Sequence, residues 1–400
     1  MSDRTHSEQM IMQAERRLWP GELAFGEEVY AARLELVQSE MRSRGLAMVM
    51  LFDPETMFWL TGYQTIGYFT FQAMCVTRTG RPVIVTRVVN RDMARALPTI
   101  AEAHPVFDTE DHVEILERYL GEAVPDGLIG LDTTSRYLNV QDYTRLAIRF
   151  GDRLTPFNGV LDAHRMIKSA AELDRMRAAG RAVEAGMDAA LSTIAPGRTD
   201  NEIAAALYQG SIAAGSEYIG HPPMVATGPR SALCFALWKR NTIREGDVVL
   251  LEGAACVDRY HAIMARSAVV GRATKEQKET AAALIDVLET ACAMIRPGLT
   301  SAEVDHACRS LVEARGLGAY YKSRTAYGIG IGFPPNWAEG HIYAIRPGDP
   351  LVLQAGMTFH IIPTMFREEF GMAISDSVVV TKDGCELLTR RPRALVEVGI

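Results

Sequence analysis

The sequence predicts an α+β protein, with a small N-terminal α/β domain over residues 1–160 and a larger pseudo-symmetric domain over 161–400. Three observations carry this reading. Strand-like and helix-like segments alternate over residues 30–150. A unit of helix, helix and strand pair occurs twice beyond residue 167. Residues 246–271, GDVVLLEGAACVDRYHAIMARSAVVG, read as a buried β-hairpin, because short apolar and β-branched runs bounded by glycine favour strands over helices.

The elements follow in order. Residues 1–30 lack periodicity and read as a loosely ordered arm with one short helix. Helical spacing over 30–45 leads into a strand at 46–52 (LAMVMLF). Residues 53–63 are a turn into an aromatic-rich helix or loop. Strands at 68–77 and 82–88 flank the turn at Gly80. A helix at 112–122, a short strand at 128–131 and a helix at 140–150 complete the first domain. The boundary falls at 156–166. Beyond it, residues 167–194 form a long helix, opened by a capping box in which Ser169 and Glu172 satisfy each other's backbone donors. IAPGRTDNEI at 194–203 then matches IRPGLTSAEV at 295–304, and both copies end one helix at Pro-Gly and start the next with Thr-x-x-Glu. The strands after each copy, at 248–251 and 357–362, should line a cleft along the pseudo-axis of one domain.

Composition narrows the function classes. A chain of 400 residues with 48% hydrophobic and 23% charged residues supports two full cores. A formal net charge of −7 offers no footprint for nucleic acid or an anionic membrane, so a small-molecule substrate is expected. No run reaches the roughly 18 apolar residues of a membrane span, and the polar start lacks a signal-peptide core, which predicts a cytoplasmic protein. Cys75, Cys234, Cys256, Cys292, Cys308 and Cys385 include no CxxC pair and read as reduced thiols.

Chemistry concentrates in the hairpin. The apolar run at 248–251 ends in Glu252, a carboxylate that burial forces to find a partner or a shifted pKa. After a small-residue turn the second run carries Arg259, Tyr260 and His261. Arg259 and Arg266 are the candidate ion-pair partners of Glu252. In the glycine-rich TAYGIGIGFPPNW at 325–337, no strand-turn-helix pattern suits a nucleotide, and Tyr327 reads as a donor beside a pocket.

From about residue 30 onward, these phrases in this order resemble the creatinases, aminopeptidase P and prolidases, the pita-bread fold (peptidase M24). They are DPETMFWLTGY at 53–63, MIKS at 166–169 with Glu172, and the duplicated Pro-Gly-x-Thr-x-x-Glu. The metallopeptidases of that family bind two metals through two Asp, one His and two Glu. The resemblance carries those positions onto Glu252, Ile263, Tyr327, Ile362 and Ser375, of which Glu252 alone is a plausible ligand, so no metal and no cofactor are expected. The nearer likeness is to the metal-independent branch that includes ectoine hydrolase. It rests on Glu252, Arg259-Tyr260-His261, Arg266, Tyr327, Trp337, Glu339 and GMTFH at 356–360. The segment GPRSALCF at 228–235 departs from the family, ending in Phe235 where a His usually stands.

Strand parity puts residues two apart on one face, so His261 and His360 should share the cleft with the positions of Ile263 and Ile362. The resemblance and this parity imply Glu252, His261, His360 and Tyr327 as catalytic residues. They imply Arg266, Trp337, Glu339, Asp376, His221 and Phe235 as substrate-binding residues. The expected activity is metal-independent hydrolysis of a C–N bond in a small polar or zwitterionic metabolite. In it Glu252 attacks or activates water, a histidine moves the proton, and Tyr327 with Arg266 stabilises charge. A metal-dependent Xaa-Pro peptidase and a catalytically inactive binding paralogue are the alternatives. Family members are commonly dimers, so a homodimer is expected, with the N-terminal domain near the partner's active site and Tyr63, Tyr68, Phe69 and Phe71 as reaching residues.

Overall fold

The computed structural model describes residues 5–13 and 22–399, and the chain divides into two compact units, Met1–His164 and Arg165–Ile400. The arm read over residues 1–30 contains a helix, His6–Gln13, and residues 14–21 of it lie outside the described ones.

The first unit is built on a six-stranded sheet. Its spatial order is Glu102–Val106, Val83–Arg87, Gln72–Thr77, Leu46–Leu51, Leu128–Leu131 and Leu154–Pro156. Met48, Met50, Val85, Ile129 and Leu131 pack against Val113, Leu116 and Leu120 of the helix His112–Ala123, and against Leu146 and Phe150 of Val140–Phe150. The two outermost strands were absent from the sequence reading. Each contains a proline, Pro105 or Pro156, which breaks the strand signature and removes a ladder donor. That same missing donor is tolerated at an edge, which is where both strands lie.

The second unit repeats one construction. The helices Ala170–Thr193 and Asp200–Ala213 cover the hairpin Val248–Val257/Tyr260–Val270. The helices Lys275–Met294 and Ser301–Ala314 cover the strands Thr358–Ile361 and Asp376–Val380. Thr199 and Glu202, and Thr300 and Glu303, close the expected capping boxes, as do Ser169 and Glu172. Each cap threonine also forms an isolated β-bridge to a distant residue, Thr199 to Thr242 and Thr300 to Val352. The strands form one ten-stranded sheet in which Ala326–Phe333 joins the two halves, pairing with Thr358–Ile361 and, through Ile331 and Tyr260, with the first hairpin. The first two helices approach closely at Gly186 and Gly210, where a Cβ on Gly210 would stand 2.9 Å from the Gly186 Cα.

The hairpin differs from its sequence reading at the turn. The first strand does not end after Glu252 but continues through Gly253 to Val257, and Asp258 and Arg259 make the turn with φ of 49° and 63°. Gly253 serves packing instead, since a Cβ there would lie 3.0 Å from the Leu207 side chain. Among the described residues, no helix is long and apolar enough to cross a membrane.

Candidate active site

Register determines which side chains meet. Glu252 stands opposite Ala265, Ala254 opposite Ile263 and Cys256 opposite His261, so all six point to one face of the hairpin. From the second half, Tyr327 stands opposite His360 and His360 opposite Ser377. Glu252, Tyr327, His360 and Ser375 converge there, with Trp337 as wall.

A hydrogen-bonded chain runs through them. The Ala265 N–H donates to Ser375 Oγ at 2.6 Å, and Ser375 Oγ lies 2.6 Å from His360 Nε2. His360 Nδ1 lies 2.7 Å from the Tyr327 hydroxyl, to which Trp337 Nε1 also donates at 3.1 Å. Burial lowers the His360 pKa to about 3, with Arg266 adding to the effect, so the ring is neutral and carries one N–H. One arrangement gives every hydrogen an acceptor. Ser375 donates to Nε2, the Nδ1–H donates to the Tyr327 oxygen, and the Tyr327 hydroxyl, its lone pairs filled by two donors, donates to Glu252 Oε1 over a long 3.5 Å. Burial, with the Glu252 charge adding to it, pushes the Tyr327 hydroxyl well above its ordinary value. Glu252 is 6% exposed, pairs with neither Arg259 nor Arg266, and has its pKa raised by burial to about 8.

His221 stacks on Trp337 with ring centroids 3.3 Å apart, and its Nδ1 is held by the Pro222 carbonyl at 2.7 Å. The pair forms an aromatic wall whose polar end is the Trp337 N–H on Tyr327. Cys234, unmarked in sequence, is near enough that the Glu252 charge helps burial raise its thiol pKa. Phe235 is 73% exposed with φ of 64°.

Four expected site residues are elsewhere. His261 does share the Glu252 face, but it stands four residues along from Ala265, roughly 13 Å at strand rise. Its Nε2 accepts the Gly220 N–H and its Nδ1 is bonded to the Arg259 carbonyl, so neither nitrogen is left to move a proton. Arg266 faces the opposite side, opposite Leu251. All five of its N–H donors are taken, by Asp376 and the carbonyls of Ala265, Ser375, Arg391 and Pro392. Asp376 is bound up with it and with Arg393 at 2.7 Å. Glu339 is the centre of a buried ion cluster, 2.8 Å from Arg165 and 2.6 Å from Lys168. Burial acts to raise the Glu339 pKa, but the two cations outweigh it and hold the carboxyl below its ordinary value. Strand parity could have excluded Arg266, whereas nothing in the sequence pairs Glu339 with Lys168.

The positions onto which the resemblance carries two metals do not fit metals here. Ile263 and Ile362 are hydrocarbon, Ser375 and Tyr327 are neutral hydroxyls already bonded, and Glu252 is a single carboxyl with a raised pKa. Among the described residues, no group of three or more His, Cys, Asp or Glu is placed to hold a metal ion.

An N-terminal α/β unit followed by a duplicated, helix-covered sheet with polar residues at the junction of its halves defines a pita-bread hydrolase. The chain matches the Creatinase/Prolidase N-terminal domain over residues 33–167 and the Metallopeptidase family M24 over residues 174–382, and it belongs to that family. It is 30% identical to an ectoine hydrolase of Halomonas elongata, over 93% of this chain and 98% of the relative. It is 28% identical to an Xaa-Pro dipeptidase of Pyrococcus horikoshii, over 58% of this chain and 65% of that one. The fold matches a prolidase from Thermococcus sibiricus with a TM-score of 0.83 at 23% identity, covering 92% of this chain and 99% of that one.

Proposed function

We propose that this M24 hydrolase cleaves a C–N bond in a small polar or zwitterionic metabolite of the ectoine type, without metal. One observation carries the proposal. At the five positions that hold metal in the peptidases, this chain has two isoleucines, one carboxyl and two hydroxyls joined through His360. A lone buried carboxyl with a pKa near 8 suits a cationic amidine-like substrate. The substrate's positive charge favours ionised Glu252, which then takes a proton from the attacking water and returns it to the leaving nitrogen. Tyr327, fed by His360 and Trp337, aims its hydroxyl at that carboxylate and steadies it. The His221–Trp337 wall supplies a face for the substrate cation.

The test is hydrolysis of ectoine, hydroxyectoine and creatine by the purified protein, with metal content measured on the same sample. Product without bound transition metal is expected, and Glu252→Gln and His360→Ala should each lower turnover by two to four orders of magnitude while the protein stays folded. Activity that survives both substitutions removes the mechanism. The dipeptidase relatives favour a second reading, Xaa-Pro cleavage, which requires stoichiometric metal and X-Pro turnover. The proposal includes a cytoplasmic homodimer. Phe69 is 76% exposed and free to contact a second copy, and analytical ultracentrifugation should show a dimer of the parent that Phe69→Ser weakens.

A further inference from the structure

The six cysteines are scattered in sequence, yet the fold brings two together. Cys292 lies on the helix Lys275–Met294 and Cys385 on the strand Cys385–Leu387. The Cys385 thiol donates to the Cys292 carbonyl at 3.2 Å, and the two thiols are near enough to shift each other, Cys292 down and Cys385 up. Arg393 Nη2 stands 3.3 Å from Cys292 Sγ, and its Nε is fixed on Asp376 at 2.7 Å. The guanidinium is therefore aimed at the sulfur by a carboxylate that Arg266 also holds. Both cysteines are half-buried.

The other four differ. Cys75, Cys256 and Cys308 are buried, and burial pushes each thiol up to about 12. Cys234 is exposed but has its thiol raised by burial and by Glu252. At Cys292 the Cys385 thiol and the Arg393 charge outweigh burial and hold the pKa below its ordinary value. A half-buried cysteine beside a guanidinium, with a second thiol bonded to its own carbonyl, is the arrangement of a reactive cysteine with a resolving partner.

We propose that Cys292 is a nucleophilic site for hydroperoxides, with Cys385 as its resolving thiol. The Cys292 thiolate attacks the terminal oxygen of ROOH and the O–O bond breaks. The alkoxide leaves and takes a proton as ROH, and Cys292 becomes a sulfenic acid. The Cys385 sulfur then attacks the Cys292 sulfur, giving up its proton as the hydroxyl leaves as water. The two thiols lose two electrons and the hydroperoxide gains them.

The test uses the full chain carrying Cys234→Ser, reduced, then treated with a small excess of hydrogen peroxide near pH 7. The expected product has lost two hydrogens, and a non-reducing peptide map joins the Cys292 peptide to the Cys385 peptide. Adding Cys385→Ser, or Cys385→Ala if serine is not tolerated, should stop the reaction at a dimedone adduct on Cys292. Arg393→Gln should slow it roughly tenfold, because the Cys292 sulfur loses the guanidinium that favours its thiolate. A link from Cys292 to Cys308, oxidation that spares Cys292 in protein folded by circular dichroism, or an unchanged rate in Arg393→Gln overturns the assignment.

Discussion

Glu252→Gln should make the protein inactive and, at alkaline pH, more stable. The folded protein keeps the Glu252 proton up to about pH 8, while the unfolded chain releases it near the ordinary 4.5. Between those values the folded state binds the additional proton. Stability of the parent is therefore full below about pH 4.5, falls as pH rises through about 8, and is flat above it. At 1.36 kcal/mol per tenfold, the loss is on the order of 5 kcal/mol. Glutamine keeps the shape, cannot ionise and escapes the loss. Near pH 4 the parent and the variant should melt together. By pH 9 the variant should melt higher by roughly 10–20 °C, taking about 2–4 °C per kcal/mol for a unit of this size. Differential scanning calorimetry across pH 4–9 measures the difference on the transition of the Arg165–Ile400 unit. Melting curves that stay parallel over the whole range would mean that the folded protein holds Glu252 ionised, and the reasoning from burial would fail.

Tyr327→Phe should cost about 1–3 kcal/mol, because the Trp337 and His360 N–H groups lose their acceptor, and should move the pH–rate profile to higher pH as Glu252 loses a donor. Calorimetry and rate profiles on one preparation read both effects. Glu339→Gln should cost about 3–5 kcal/mol by leaving Arg165 and Lys168 buried without their anion, seen as a lower unfolding midpoint in urea. Phe235→Gly should stabilise by about 1 kcal/mol by relieving a left-handed backbone, measured the same way.

Much of this was legible from sequence because it is written in local rules. The capping boxes at Ser169, Thr199 and Thr300 need only residues three apart, and the two strand-pair units follow from apolar runs and the repeat. Glu252 stood out because a carboxyl closing an apolar run has no local partner, and parity with the Ile263 position that the resemblance puts in the cleft placed His261 on its face. The failures come from distance and competition. Parity assigns a face but not a position along it, so His261 was placed beside Glu252 when it serves Gly220. Asp376 and Glu339 carry charges suited to substrate, but Arg266, Arg393, Lys168 and Arg165 reach them first.

The sequence by itself determined the two-unit architecture and the duplicated helix-and-strand construction, since each depends on residue type and spacing along the chain. Only the tertiary structure decided that Ser375, His360, Tyr327 and Trp337 form one directed hydrogen-bonded chain toward Glu252, and that Cys292, Cys385 and Arg393 meet. Those contacts join residues from ten to more than a hundred positions apart, on different strands, helices and loops. Which donor finds which acceptor there is set by register and burial, and neither is encoded in any short stretch of chain.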